Sequence, residues 1–369
     1  MTVRQVVAAP ARFAARQVVR VRTRTWPENS RLFAVGERSG WSVDEDARHL
    51  EATARRLGYE VAPAGWARFA DRQTVFLASH FEALQPRWLE SSHRLGTAYL
   101  HGRPGTPGYP EFDRAFDMLR RNADRVERVQ VTHAEMHDLV LSAGVDPARV
   151  FRIPIGIDLE HFAPVDARLR VEARDALDVP ADAFVVGSFQ KDGVGWGEGL
   201  VPKLVKGPDV LVAALELLKA DIPALFVLLT GPARGYVRRE LERLSIRYRH
   251  VMANGRSELA RAYHALDVYV VAARQEGGPK AVLESMAAGI PLVTTRVGQA
   301  PDLVEDGGNG VLVGVEDVDA IATAVLRMRD DPRLARDLTE HGRVTAERHA
   351  HERLDGLWAS LFDGFVTSR

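Results

Sequence analysis

Short apolar runs alternate with longer amphipathic stretches along most of this chain. RLFAVG from Arg31, TVFLASH, GTAYLHG and VERVQVTHA read as strands, while VDEDARHLEATARRLG, EFDRAFDMLRRNA and EMHDLVLSAG read as helices. Phe112, Phe116 and Leu119 recur at helical spacing, and Gly58 and Gly144 follow the ends of two helices, where a left-handed residue is favoured. HGRPGTPGYPEF, dense in Gly and Pro, reads as a loop, and VDPARVFRIPIGID leads out of this first series. A second series begins with the strand FVVGSF at Phe184. It continues through a polar, glycine-rich loop (Gln190 to Gly207), the helix PDVLVAALELLKA, the strand ALFVLLTG and a helix from Arg234 to Tyr248. LDVYVVAA, a short helix and PLVTT come next, then the helices DVDAIATAVLRM and DPRLARDLTEHGRVTAERHA. Strands alternating with helices predict parallel sheets covered on both faces. The expected fold class is therefore α/β, with two Rossmann-like domains over 31–158 and 159–350 and ligand chemistry at the carboxyl ends of the strands.

Composition narrows the function classes. A chain of 369 residues accommodates two ordinary domains, and 46% apolar with 27% charged residues is the balance of a soluble globular protein. A net charge of −1 gives no global field for nucleic acid, so no nucleic-acid partner is expected. The absence of cysteine removes disulfides, thiolate metal sites and a cysteine nucleophile, and fits a reducing, cytoplasmic setting. No apolar run reaches the roughly 20 residues that span a bilayer, and the N-terminus lacks the continuous apolar core of a signal peptide. Residues 1–30 stand apart: Arg4, Arg12, Arg16, Arg20, Arg22 and Arg24 precede the first acid, Glu28. Two readings stay open, a basic amphipathic segment resting on the inner face of an anionic membrane and a frayed terminus. Pro10 would interrupt a single helix there.

The densest chemistry lies between Glu276 and Gly314, in EGGPKAVLESMAAGIPLVTTRVGQAPDLVEDGGNGVLVG. Pro279 suits the first turn of a helix, and Gly289 with Pro291 suits its end. Glu276 then falls in the loop before the helix and Glu284 within it. A helix start presents backbone N–H groups and a positive dipole end to an anion, most often a phosphate. A nucleotide sugar has the matching parts: a diphosphate for the N–H groups, and ribose and sugar hydroxyls for two carboxylates.

These residues resemble the donor-binding block of retaining GT-B glycosyltransferases of the family 4 type (glycosyl transferases group 1), whose signature is a glutamate, seven residues and a second glutamate. RIPIGIDLEHFAP (Arg152 to Pro164) is similar to the family's linker segment, with Ile155 where asparagine is usual, and SELARAYHALDVYV resembles the helix and strand before the donor loop. The likeness is close over roughly 130–345 and looser before it. It implies a GT-B architecture and transfer of a sugar from a nucleoside-diphosphate sugar to an acceptor hydroxyl, with retention of configuration. It further implies a last helix, about Glu352 to Phe365, that crosses back to the first domain.

Carried over residue by residue, the resemblance implies that Lys206, before Gly207 and a helix start, reaches the diphosphate. Glu276 would lie at the sugar hydroxyls and Glu284 at the ribose, with backbone N–H groups of Gly277, Gly278 and Lys280 at the sugar or phosphate. The family's phosphate-binding arginine after Gly187 is replaced by Ser188. Lys191, in a loop resembling a subgroup that likewise begins GSFQKDG, is the candidate substitute, with Lys203 behind it. His101, after GTAYL, is a candidate contact to the donor sugar, weighed against a structural role. His133 is a weaker candidate of the same kind. Gly36 and Gly40 resemble a flexible acceptor or sugar loop. No metal or other cofactor is expected, and fixed cations with helix dipoles would neutralise the leaving group. The expected partners are the nucleotide-sugar donor and a glycan, lipid-linked or small-molecule acceptor. A phosphorylase using orthophosphate and a non-catalytic sugar-nucleotide-binding scaffold remain the alternatives, because fold does not fix function.

Overall fold

The computed structural model describes residues 17–37 and 42–367. Gly40 and the arginines at 4, 12 and 16 lie outside these residues. The chain divides into two compact units, one running through Ile153 and resuming at Leu354, the other spanning Pro154–Arg353.

In the first unit five strands pair in parallel: β1 (Leu32–Val35), β2 (Thr74–Leu77), β3 (Arg94–Ala98), β4 (Val126–Val131) and β5 (Val150–Arg152). The spatial order follows the chain, except that Val61 makes a parallel bridge to Leu32 on the free side of β1. The sheet order therefore reverses between β1 and β2. Helices α1 (Ser42–Arg56), α2 (Pro110–Arg121) and α3 (Ala134–Ser142) follow β1, β3 and β4. Residues 17–23 are helical, with Val19 and Thr23 buried and Arg20, Arg22 and Arg24 exposed.

The second unit carries α4 (Ala167–Ala176), β6 (Phe184–Phe189), α5 (Pro208–Asp221), β7 (Leu225–Thr230), α6 (Gly235–Arg243) and β8 (Arg247–Val251). It continues with α7 (Arg256–His264), β9 (Val268–Val271), α8 (Lys280–Ala288), β10 (Leu292–Thr295), β11 (Val311–Val313), α9 (Val318–Asp330) and α10 (Pro332–Arg348). Its sheet runs β11-β10-β9-β6-β7-β8, all parallel. That is the doubly wound Rossmann order, whose ligand crevice opens where β6 and β9 lie side by side and the winding reverses. Two apolar layers cover the faces of this sheet. One gathers Leu228, Tyr263, Tyr269, Val282 and Met286, and the other Leu215, Val227, Val237, Val270 and Val325.

The last helix, α11 (Asp355–Phe362), belongs to the first unit. Leu361, Phe362 and Phe365 are fully buried in a cluster with Leu32, Phe76, Ala98 and Ile153. Polar contacts fix the return: Arg56 makes a two-point ion pair with Asp355 (2.6 and 3.0 Å), and Thr74 Oγ1 and Arg94 Nη1 both donate to the Phe365 carbonyl at 3.0 Å.

Several sequence expectations are corrected. The helix expected over Arg234–Tyr248 stops at Arg243. Ser245 takes φ +52° and the chain turns into β8, a polar strand at the sheet edge with no apolar alternation to reveal it. Strands β5 and β11, three residues each, and helix α4 were not expected. Pro279 caps α8 from outside instead of occupying its first turn.

Candidate active site

The candidate donor residues Lys191, Lys206, Glu276, Gly277 and Gly278 lie in the second unit, on the two loops that leave β6 and β9 at the switch point, and Lys280 and Glu284 follow on α8. Loop Gln190–Gly207 and loop Ala272–Pro279 are tied together by backbone: Arg274 and Gln275 N–H both donate to the Val205 carbonyl (2.9 and 3.0 Å). The Arg274 guanidinium forks onto the Asp209 carboxylate with two contacts of 2.7 Å and donates to Leu204 O at 2.8 Å. Gly207, at φ +61°, ends the first loop, and a Cβ there would sit 1.8 Å from Ala272 O. Only glycine fits that approach.

This seam brings Lys206 and Glu276 into contact. Lys206 Nζ lies 2.5 Å from Glu276 Oε1, with the lysine side chain 24% and the glutamate 13% exposed. Lys191 comes to the same place from the other end of its loop, its Nζ 4.4 Å from the centre of the Trp196 ring. Burial lowers the pKa of Lys191, and the charge of Lys206 lowers it further. Two lysines near enough to repel, one of them paired with Glu276, form a locally cationic site. Lys203 donates its backbone N–H to Asp192 O at 2.7 Å.

Behind Glu276 the backbone is braced. Gly298, at φ +54°, packs so closely that a Cβ would lie 2.7 Å from the carbonyls of Glu276 and Gly277. The fully buried Gln299 accepts from Ile155 N–H at 2.9 Å, and Ile155 packs against Gly278. Glu284 faces the buried Tyr263, whose hydroxyl donates to its Oε2 at 2.9 Å. Burial, then the Glu284 charge, pushes the Tyr263 phenol well up, so it stays a donor. Tyr269 accepts from Phe189 N–H at 2.8 Å and packs tilted against Tyr263, with ring centres 5.1 Å apart, linking the end of β6 to α8. Lys280 opens α8 half-buried. Gly298, Gln299, Tyr263 and Tyr269 were not singled out in the sequence. The only signals for them were a Gly-Gln pair after β10 and two tyrosines in otherwise apolar segments.

The family arginine's absence also has a structural counterpart. Arg234, entirely buried and unremarked in the sequence, donates to Ser188 O (2.6 Å), Thr230 O (2.9 Å) and Ser188 Oγ (3.3 Å), and contacts Asp192 at 3.0 Å.

The remaining candidates lie in the first unit. His101 sits three residues beyond β3 instead of ending a strand, half-buried among His80, Phe81 and Phe112. His80 is fully buried and stacks on Tyr99 at 3.9 Å; burial, then His101, lowers its pKa strongly. His133 does not end a strand either. It precedes α3, buried, with Nδ1 2.9 Å from Thr132 Oγ1. Gly36 follows β1 and packs on Asp44, whose Oδ1 would lie 2.3 Å from an added Cβ. Among the described residues, no group of three or more His, Asp or Glu is arranged to hold a metal ion, and no helix is long and apolar enough to cross a membrane.

Comparisons with known proteins bear on the family and the fold. Residues 201–345 match the family model "Glycosyl transferases group 1". The chain is 32% identical over 287 residues to a GDP-mannose-dependent alpha-(1-6)-phosphatidylinositol monomannoside mannosyltransferase of Mycolicibacterium smegmatis, covering 74% of this chain and 71% of that one. It is 33% identical to D-inositol 3-phosphate glycosyltransferase 2 of Catenulispora acidiphila over 63% of this chain, and spans only 54% of that relative's length. Among solved structures, Anabaena HepE in complex with UDP and glucose aligns over 91% of this chain and 100% of its own, with a TM-score of 0.72 at 16% identity. Sucrose-phosphate synthase from Thermosynechococcus elongatus aligns over 92% and 99%, with a TM-score of 0.69 at 20% identity. The extent of the mannosyltransferase match, joined to a fold shared almost end to end with these structures, establishes that the chain is a GT-B protein of the glycosyl transferases group 1 family.

Proposed function

We propose that the protein transfers a sugar from a nucleoside-diphosphate sugar to an acceptor hydroxyl with retention of anomeric configuration. The observation that carries this reading is the Lys206–Glu276 pair at the switch point, flanked by Lys191 and by Glu284 on α8. In this reading Lys206 and Lys191 neutralise the diphosphate, Glu284 accepts from the ribose hydroxyls, and Glu276 accepts from the sugar. The 2.5 Å contact between Lys206 and Glu276 gives each a partner before the donor arrives. A diphosphate would draw Lys206 away and leave Glu276 to the sugar hydroxyls. Charge stabilisation then falls where the leaving group develops charge. The bond from the anomeric carbon to the diphosphate oxygen breaks while the bond to the acceptor oxygen forms, and the acceptor's proton leaves with the diphosphate or to solvent.

His101 and Gly36 in the first unit are proposed for the sugar and acceptor side. The named relatives act on inositol phosphate and on a phosphatidylinositol mannoside, so an inositol-containing or lipid-linked polyol is the first acceptor class to test.

The test of the donor site is thermal shift against UDP, GDP, dTDP, ADP and phosphate, with Glu284→Ala alongside. A ligand that binds the native state alone raises the melting temperature by mass action, about 2.7 kcal/mol at a hundred times Kd. The expected outcome is a shift with a nucleoside diphosphate that Glu284→Ala abolishes. A shift with phosphate alone would favour a phosphorylase, and none with any ligand a scaffold.

A further inference from the structure

The loop that carries both candidate phosphate lysines is long, glycine-rich and bears exposed Val194, Trp196, Leu200 and Val201. Nothing in its composition would hold it still, yet it is fastened at its middle to the turn after β7. Gly235 N–H donates to Glu198 O at 2.7 Å and Tyr236 N–H to Gly199 O at 2.9 Å. Gly193 and Gly199 lie so close to this turn that a Cβ on either would come within 2.3 Å of Ala233 O. Beneath the seam sits the Arg234–Asp192 ion pair, with both side chains 0% exposed.

Arg234 also grips β6, from which the loop departs, through the Ser188 carbonyl, and the end of β7 through that of Thr230. Asp192 is the residue after Lys191, and its carbonyl starts a chain of contacts toward Lys206: Lys203 N–H to Asp192 O at 2.7 Å, then Lys206 N–H to Lys203 O at 2.8 Å. Gln190 Nε2 closes the loop on the Lys206 carbonyl at 3.1 Å. A fully buried pair of charges is costly to desolvate and is weak evidence for stability as such. Its connections run instead to the two lysines.

We propose that the buried Arg234–Asp192 pair is a positioning clasp that holds loop 190–207 so that Lys191 and Lys206 meet the donor's diphosphate together. This rests on the functional reading above. Arg234, buried below Ser188, touches no ligand. It organises from the turn after β7 the loop whose lysine stands in for the arginine that Ser188 replaces.

The test compares the affinities of UDP and UMP, and of GDP and GMP, by calorimetry in the unaltered protein and three variants. The ratio within each pair isolates the β-phosphate. Asp192→Leu with Arg234→Met removes the clasp without leaving a lone buried charge. Arg234→Lys keeps the charge but not the fork. Gly199→Ala presses on Ala233, beside Arg234, and opens the seam while keeping both charged side chains. The expected result is a diphosphate-to-monophosphate ratio lowered by roughly tenfold, the scale of one lost contact to a charged group, with monophosphate affinity retained. Equal weakening of both nucleotides with a lower Tm, or an unchanged ratio in folded variants, would overturn the clasp while leaving the donor site standing. If the double variant does not fold, Arg234→Lys decides. If the unaltered protein binds none of the four nucleotides, the functional reading itself fails and takes the clasp with it.

Discussion

Lys206 is the side chain on which the proposed chemistry depends most. Its side chain is three-quarters buried and that of its partner, Glu276, more so. In such surroundings a charge developing on a leaving phosphate is weakly screened, and one fixed cation matters more than it would in water. Lys206→Ala should therefore lower release of nucleoside diphosphate from the donor by about 10²–10³-fold in kcat, the scale seen when one transition-state donor is removed. Turnover within threefold of the unaltered protein would exclude that role. Sequence reading reached Lys206, Glu276 and Glu284 because each stands in a local pattern, a helix start or a spaced pair of carboxylates. It could not reach Arg234, which is 46 residues from Ser188 in the chain and meets it only because β6 and β7 are paired. Tyr263 and Gln299 were hidden for the same reason: what they brace comes from another element.

Among elements, convergence of helices creates environments that no single segment encodes. His351, just beyond α10, is mostly buried near Arg256 of α7 and Lys280 of α8, and its pKa falls to about 4, first by burial and then by those two cations; Glu352 and Asp158 oppose the shift. Asp158 is itself held by Arg256 at 2.5 Å. A histidine that titrates near 6.5 when unfolded and near 4 when folded leaves the unfolded state binding the extra proton between those values. Its contribution to stability is therefore intact above pH 6.5 and is lost as pH falls toward 4, by up to about 3 kcal/mol. Thermal melts from pH 7.5 to 4.5 should show this decline, and His351→Gln should flatten it. A slope unchanged in that variant would place the acid sensitivity elsewhere. The strand–helix alternation that revealed most elements failed for the same kind of reason. β8 is a polar edge strand and β5 and β11 are three residues long, so their pairing partners, not their own patterns, define them.

At the scale of the whole molecule the chain is folded out of order, and that makes the two units separable by experiment. The closing segment from Leu354 belongs to the first unit, where it supplies Leu361, Phe362, Phe365 and Val366 to the cluster on one face of the sheet. A Cβ on Gly96 of β3 would stand 2.7 Å from Phe76 and 2.9 Å from Phe365, so the aromatic ring packs directly on the strand. Losing four large buried apolar side chains, each worth about 1.5–3 kcal/mol when fully buried, exceeds the stability margin of many single domains, about 5–15 kcal/mol in total. The proposed donor residues Lys191, Lys206, Glu276 and Glu284 are all in the unit that ends at Arg353 and makes no use of that segment for its core. Truncation after Arg353 should thus split the melt into two transitions, with the first unit unfolding well below its normal temperature. Nucleoside-diphosphate binding should persist, and the ligand should raise only the upper transition. Loss of nucleotide binding with the first transition would mean that the two units share the donor site, and the assignment of that site to the second unit alone would have to be abandoned.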